Sequence, residues 1–152
     1  MTWEIALPAL VGAGVALLTS AGERLIARFF DHSTQREARY DADLAAIERV
    51  TFEVRDLATA YWSHDAEMPR DKITEGAIVG RLTFVSELAE ALFKPKEKLL
   101  WEMDMFINRL DVSCTFGNFG GQSRKADAGR IREIEIAAYR LAHAALVNRR
   151  KL

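Results

Sequence analysis

Apolar residues return every three or four positions through four stretches of this chain, and an uncharged run precedes them. From residue 32 to 63 the recurring positions are Tyr40, Leu44, Ile47, Val54, Ala58 and Tyr61, with charges between them. That is the spacing of a helix with one buried face. His64–Arg70, containing Asp65 and Pro69, breaks the pattern, and Asp71 is positioned to cap the next helix. This second helix, over 72–93, repeats Ile78, Leu82, Val85, Ala89 and Leu92. It stops at Lys94-Pro95, because the residue before a proline avoids helical geometry. A third, over 96–113, aligns Leu99, Met103, Phe106 and Leu110, widened by Leu100 and Ile107. Residues 114–125, CTFGNFGGQSRK, are too glycine-rich for a helix interior, and a last helix from about 127 to 149 carries Ile131, Ile134, Ala138, Leu141 and Ala145. No stretch alternates convincingly with the period of a strand. Each stripe can be buried only against another, so the expected fold is all-α, with residues 31–152 forming an antiparallel four-helix bundle.

The uncharged run is Ile5–Gly22, IALPALVGAGVALLTSAG. With Trp3 before it and Leu25–Phe30 just after Glu23 and Arg24, residues 1–30 are long enough to span a bilayer core, which needs roughly 20 mostly apolar residues. A cleaved signal peptide would begin with positive charge, whereas MTWE carries Glu4 and no Lys or Arg. The basic residues follow the run instead, at Arg24, Arg28, Arg36 and Arg39. The positive-inside rule then places the N-terminus outside and the rest of the chain in the cytoplasm, as a single-pass anchor in a bacterial inner membrane. Trp3 suits the outer interface, and Pro8 falls in the first helical turns, where its missing N–H costs little. No Gly or Pro separates Gly22 from the following helix, so the two are able to run as one. Gly12, Ala16 and Ser20 recur every four residues and form a flat line along which helix backbones can approach closely, the expected interface of a homo-oligomer.

Connectivity adds a spatial expectation. If the first bundle helix leaves the membrane, the second returns, the third leaves and the fourth returns. The corner at Lys94, Lys96 and Lys98 and the C-terminal Arg149, Arg150 and Lys151 should then face the bilayer, where anionic headgroups attract each by about 1 kcal/mol. Complementing the helix dipoles is the plainer use of such residues.

Charge and chemistry narrow the function. The chain has 21 Lys+Arg against 22 Asp+Glu, a balance that argues against nucleic acid as its main partner. A single cysteine, Cys114, excludes an internal disulfide and any cysteine-based zinc site, and fits a reducing compartment. Beside the glycine-rich loop it reads as a small residue at a helix end, without a catalytic signature around it. The three histidines make no HExxH, and the one Glu/His pair at metal-ligand spacing, His64 and Glu67, lies in a breaker, so no metal or cofactor is expected. The FGNFGG segment (Phe116–Gly121) matches neither phosphate-binding glycine pattern, since no strand precedes it. Phe116 and Phe119 either close over the end of the bundle or offer an aromatic patch to a cytoplasmic protein partner. Glu133, Arg130 and Arg132 read as a solvated helix face, and Trp62 and Trp101 as core or rim packing.

An apolar N-terminal helix leading into a small cytoplasmic four-helix domain resembles the layout of HEPN-like membrane accessory proteins of type VI CRISPR antiviral systems. The resemblance implies a protein that oligomerises in the membrane and strengthens defence. The ribonuclease motif of HEPN domains, an Arg followed by His after four to six residues, is absent. Arg28 and His32 have three residues between them, Arg55 and His64 eight, Arg140 and His143 two. The sequence therefore leads to a non-enzymatic, self-associating membrane protein that acts on the bilayer, as a pore in one form, or recruits a partner. The alternatives are a HEPN-type RNA-processing enzyme and a tethered adaptor without pore activity.

Overall fold

The computed structural model describes residue 35 and residues 37–152, and the compact unit they form spans Tyr40–Leu152. Four helices and no strand occur among the described residues: α1 over 37–62, α2 Arg70–Phe93, α3 Glu97–Thr115 and α4 Ala128–Arg149. The periodicity of the sequence thus located each helix to within two or three residues where both ends are described. The all-helical bundle stands. The predicted span at Ile5–Gly22, and with it Gly12, Ala16, Ser20, Arg24 and Arg28, lies outside the described residues. Among the described residues no helix is long and apolar enough to cross a membrane.

Named contacts fix the directions of the helices. Asp41 near the start of α1 pairs with Arg149 at the end of α4, and Trp62 at the end of α1 accepts from the Asp127 N–H that opens α4. Glu53 pairs with Arg81, and Tyr61 with Glu75, so α1 and α2 are antiparallel as well. Arg130 at the start of α4 reaches the carbonyl of Ser113 near the end of α3, while Lys151 reaches Glu102 near its beginning. Sequence neighbours therefore run up and down around the core.

The stripes read from the sequence are the core. Ile47, Val54, Ile78, Val85, Met103 and Leu141 are among the fully buried side chains. Burying such a side chain is worth about 1.5–3 kcal/mol, which drives four helices of little intrinsic stability together. Trp101 departs from the expectation. It is 67% exposed, because it stands two residues past Leu99, on the opposite face of α3. Asp71 is not the cap of α2 either. The helix begins at Arg70, the cap position is Pro69 without a side-chain bond, and the Asp71 carboxylate turns back to accept from the Glu67 N–H at 2.8 Å.

Candidate functional site

Charged residues gather at the two ends of the bundle, and the two ends differ in kind. The entry pole, where α1 begins, holds the α2–α3 corner and the C-terminus. Here the structure brings Lys94, Lys96 and Lys98 together with Arg149, Arg150 and Lys151, since the Lys96 Nζ donates to the carbonyl of Lys151. Three of the six have acidic partners: Lys94 with Glu90 at 3.3 Å, Arg149 with Asp41 at 3.0 Å and Lys151 with Glu102 at 3.6 Å. Lys96, Lys98 and Arg150 make no ion pair among the described residues. All three are exposed.

The opposite pole is closed by the 116–127 loop, and its centre is a residue that no sequence pattern marks. Arg124 is 1% exposed. Its Nη1 donates to the carbonyls of Tyr61 and His64, both at 2.5 Å, and its Nη2 to Asp71 Oδ2 at 2.7 Å. The guanidinium lies over the Tyr61 ring, 3.8 Å from the centroid, and 5.5 Å from that of Trp62. Among the described residues its Nε has no acceptor. The backbone around it is tied in too, with Ala66 N–H donating to Arg124 O and Asp127 N–H to Trp62 O. The loop between α3 and α4 is thereby fastened to the one between α1 and α2.

A second strand of bonds runs beside the first. Tyr61 donates its hydroxyl proton to Glu75 Oε1 at 3.0 Å and accepts the Gly120 N–H at 2.9 Å, while Lys72 binds Glu75 Oε2 at 2.8 Å. Gly120 has φ 76°, a left-handed conformation that a side chain would strain, so the loop needs glycine there. Burial pushes the Tyr61 phenol above its usual value, with Glu75 adding to it and the Gly120 N–H and Arg124 opposing. Burial also raises the Asp71 carboxyl, but the Glu67 N–H, Arg124 and His64 outweigh it and hold the group below the ordinary carboxylate range.

This polar cluster joins the two loops that close the pole. Ser63 Oγ, His64 and Asp71 do form a row, with 3.5 Å from Ser63 Oγ to His64 Nδ1 and 3.5 Å from His64 Nε2 to Asp71 Oδ1. Yet the Ser63 hydroxyl is turned from His64 to the Ala60 carbonyl, to which it donates at 2.7 Å, while Asp71 holds Arg124 through Oδ2 and leaves Oδ1 toward His64. No group of three or more possible metal ligands occurs among the described residues.

The remaining sequence-derived candidates separate. Phe119 folds inward, its ring centroid 5.1 Å from that of Tyr61, whereas Phe116 is 68% exposed. Arg140 and His143 line one shallow groove of about 410 Å³ with Phe106 and Tyr139. Arg55 lies against Phe52 and against Tyr139, a wall of that same groove, and its Nη1 donates to the Tyr139 hydroxyl at 3.4 Å. Arg130 does not belong to a solvated face, because its guanidinium lies 4.6 Å from the Trp62 ring centroid; Arg132 and Glu133 are exposed. Cys114 is buried at the end of α3, with its carbonyl taken by the Trp62 Nε1. Burial pushes its thiol up to about 12, with Asp111 adding and Arg130 opposing. At pH 8 the native chain is therefore expected to resist a water-soluble thiol reagent that modifies it fully in urea. Rapid labelling of the native chain would contradict this burial. Comparison with protein-family models, with curated proteins and with solved structures finds no match to this chain.

Proposed function

We propose that the chain is a non-enzymatic, self-associating protein of a bacterial inner membrane, whose cytoplasmic bundle stands with its basic entry pole on anionic lipid. The observation that carries this reading is the gathering of Lys94, Lys96 and Lys98 with Arg149, Arg150 and Lys151 at the end where the chain enters the bundle. An uncharged run of 18 residues, Ile5–Gly22, precedes that entry. The line Gly12, Ala16 and Ser20 supplies a close contact between anchors. On this reading the assembled copies act on the bilayer, as a pore in one form, or recruit a cytoplasmic partner. Service to antiviral defence follows only from the resemblance in layout.

Three basic residues without acidic partners among the described residues, each contributing about 1 kcal/mol near an anionic surface, favour the docked pole by roughly a hundredfold at low salt. In liposomes containing anionic lipid, Lys96 of the full chain should be protected from a water-soluble amine reagent. Neutral liposomes, or high salt, should restore labelling. Equal labelling in both lipids would rule out the docked pole, and extraction of the chain by alkaline carbonate would rule out the anchor.

A further inference from the structure

The outer face of the bundle carries apolar side chains that the core does not use. On α2 these include Ile73, 78% exposed, Val79 and Phe84, and on α3 Trp101, Met105 and Val112, with Phe116 just beyond its end; α4 adds Ile136, Tyr139 and Leu146. Exposed apolar residues aligned along two helices mark an interaction surface more often than scattered ones do. Between Ile73 and Phe84 the outward line of α2 consists of Gly76 and Gly80. Nothing lies within 4 Å of where a Cβ would stand at either. No contact among the described residues requires glycine there, although glycine weakens the interior of a helix.

The groove between α2 and α3 sets the level of one helix against the other. Val79 and Asp111, Thr83 and Ile107, and Ser86 and Asp104 wall that same groove. The helices are antiparallel, so each step along α2 matches a step back along α3. Within half a turn, this register puts Ile73 level with Phe116, Gly76 with Val112, Gly80 with Asn108 and Phe84 with Met105. At the entry end, Glu87 and Glu90 stand level with Trp101 and Lys98. Val112 and Asn108 thus stand level with glycines, Ile73 and Phe84 with Phe116 and Met105, and Glu90, which also pairs with Lys94 of its own chain, with Lys98.

We propose that the outer face of α2 in one copy docks against the outer face of α3 in the next, with Val112 seated over Gly76 and Phe84 against Met105. The inference rests on the membrane-anchored, self-associating reading. Copies held by the same N-terminal segment stand at one height, and rotation about the membrane normal preserves every level matched above. A second copy fits because the two faces complement each other in size and in charge, whereas pairing α3 with α3 at one height sets Lys98 against Lys98, and α2 with α2 sets Glu87 against Glu87. The contact is head-to-tail and therefore closes into a ring when its rotation permits.

The test is cross-linking of full-length chains co-expressed in the same cells, one copy tagged and carrying Phe84→Cys, the other carrying Met105→Cys. A mixed dimer through a short thiol cross-linker is expected, with wild-type chains giving none because Cys114 is buried. Gly80→Leu in both copies should cut the mixed dimer about tenfold, since a large side chain there holds the helices apart. The same substitution should leave the thermal midpoint unchanged or raise it, as leucine replaces glycine in an exposed helix. Absence of the mixed dimer from chains that remain in the membrane overturns the interface and leaves the anchor standing. Cross-links of Phe84→Cys to itself or Met105→Cys to itself at equal yield also overturn it. A mixed dimer recovered from the soluble fraction overturns the anchor instead, and the interface survives.

Discussion

Replacing Arg124 with alanine is expected to destabilise the bundle by about 3–5 kcal/mol, the cost of leaving a buried charge without its partner. Asp71, with 4% of its side chain exposed, would lose the guanidinium 2.7 Å away. The carbonyls of Tyr61 and His64 would lose their donor, and the aromatic faces of Tyr61 and Trp62 their filling. Domains of this size are stable by about 5–15 kcal/mol in total, so the variant should sit close to unfolding. A urea titration followed by circular dichroism measures it, and hydrogen exchange at the Ala66 and Asp127 amides should accelerate first, since their bonds join the two loops. Pairing Arg124→Met with Asp71→Leu should recover much of the loss, because an apolar pair often replaces a buried ion pair at little cost. A loss below about 1 kcal/mol for Arg124→Ala would mean that the loop is not fastened through this residue.

Acid should undo the same lock, through Asp71. Its folded-state value lies below the ordinary carboxylate range because the Glu67 N–H, Arg124 and His64 together outweigh burial. A depressed carboxylate stabilises fully above its unfolded value, about 3.9. That contribution is lost as the pH falls from there through the folded-state value. Wild-type stability is therefore expected to drop steeply below about pH 4. Asp71→Asn should begin about 3–5 kcal/mol lower at pH 7, with Arg124 buried and unpaired, and should lack this acid-dependent loss. Asp65→Asn is the comparison, since Asp65 pairs with Lys125 on an open surface and such pairs are screened by solvent. Parallel acid profiles for wild type and Asp71→Asn would show that other carboxylates govern acid unfolding.

The helices and their inner faces were legible in the sequence because each depends on near neighbours. A stripe such as Ile78, Leu82, Val85, Ala89 and Leu92 identifies a buried face whatever lies across from it, and all five are buried. Lys94-Pro95 and the glycines of 116–121 ended helices by local sterics alone. That the 94–98 corner and the C-terminus share one pole also followed from the sequence, since antiparallel neighbours return every second connection to the same end; the bond from Lys96 to Lys151 did not.

The closed pole was not legible, because its bonds join residues far apart in the chain. Arg124 and Asp71 are 53 positions apart, and Tyr61 and Gly120 are 59. In the sequence Arg124 is one more basic residue in a polar loop, and Asp71 one more acid at a helix start. Only folding sets the loop over the end of α1, where a guanidinium finds two carbonyls, a carboxylate and two aromatic faces at once. Local pattern likewise could not tell Phe119 from Phe116, or Trp62 from Trp101, because exposure depends on which side of a helix or loop faces the core. What the sequence by itself determined is the set of helices, their buried stripes and the end at which the basic residues collect. What the tertiary structure alone decided is which polar groups are taken out of water and must therefore find one another.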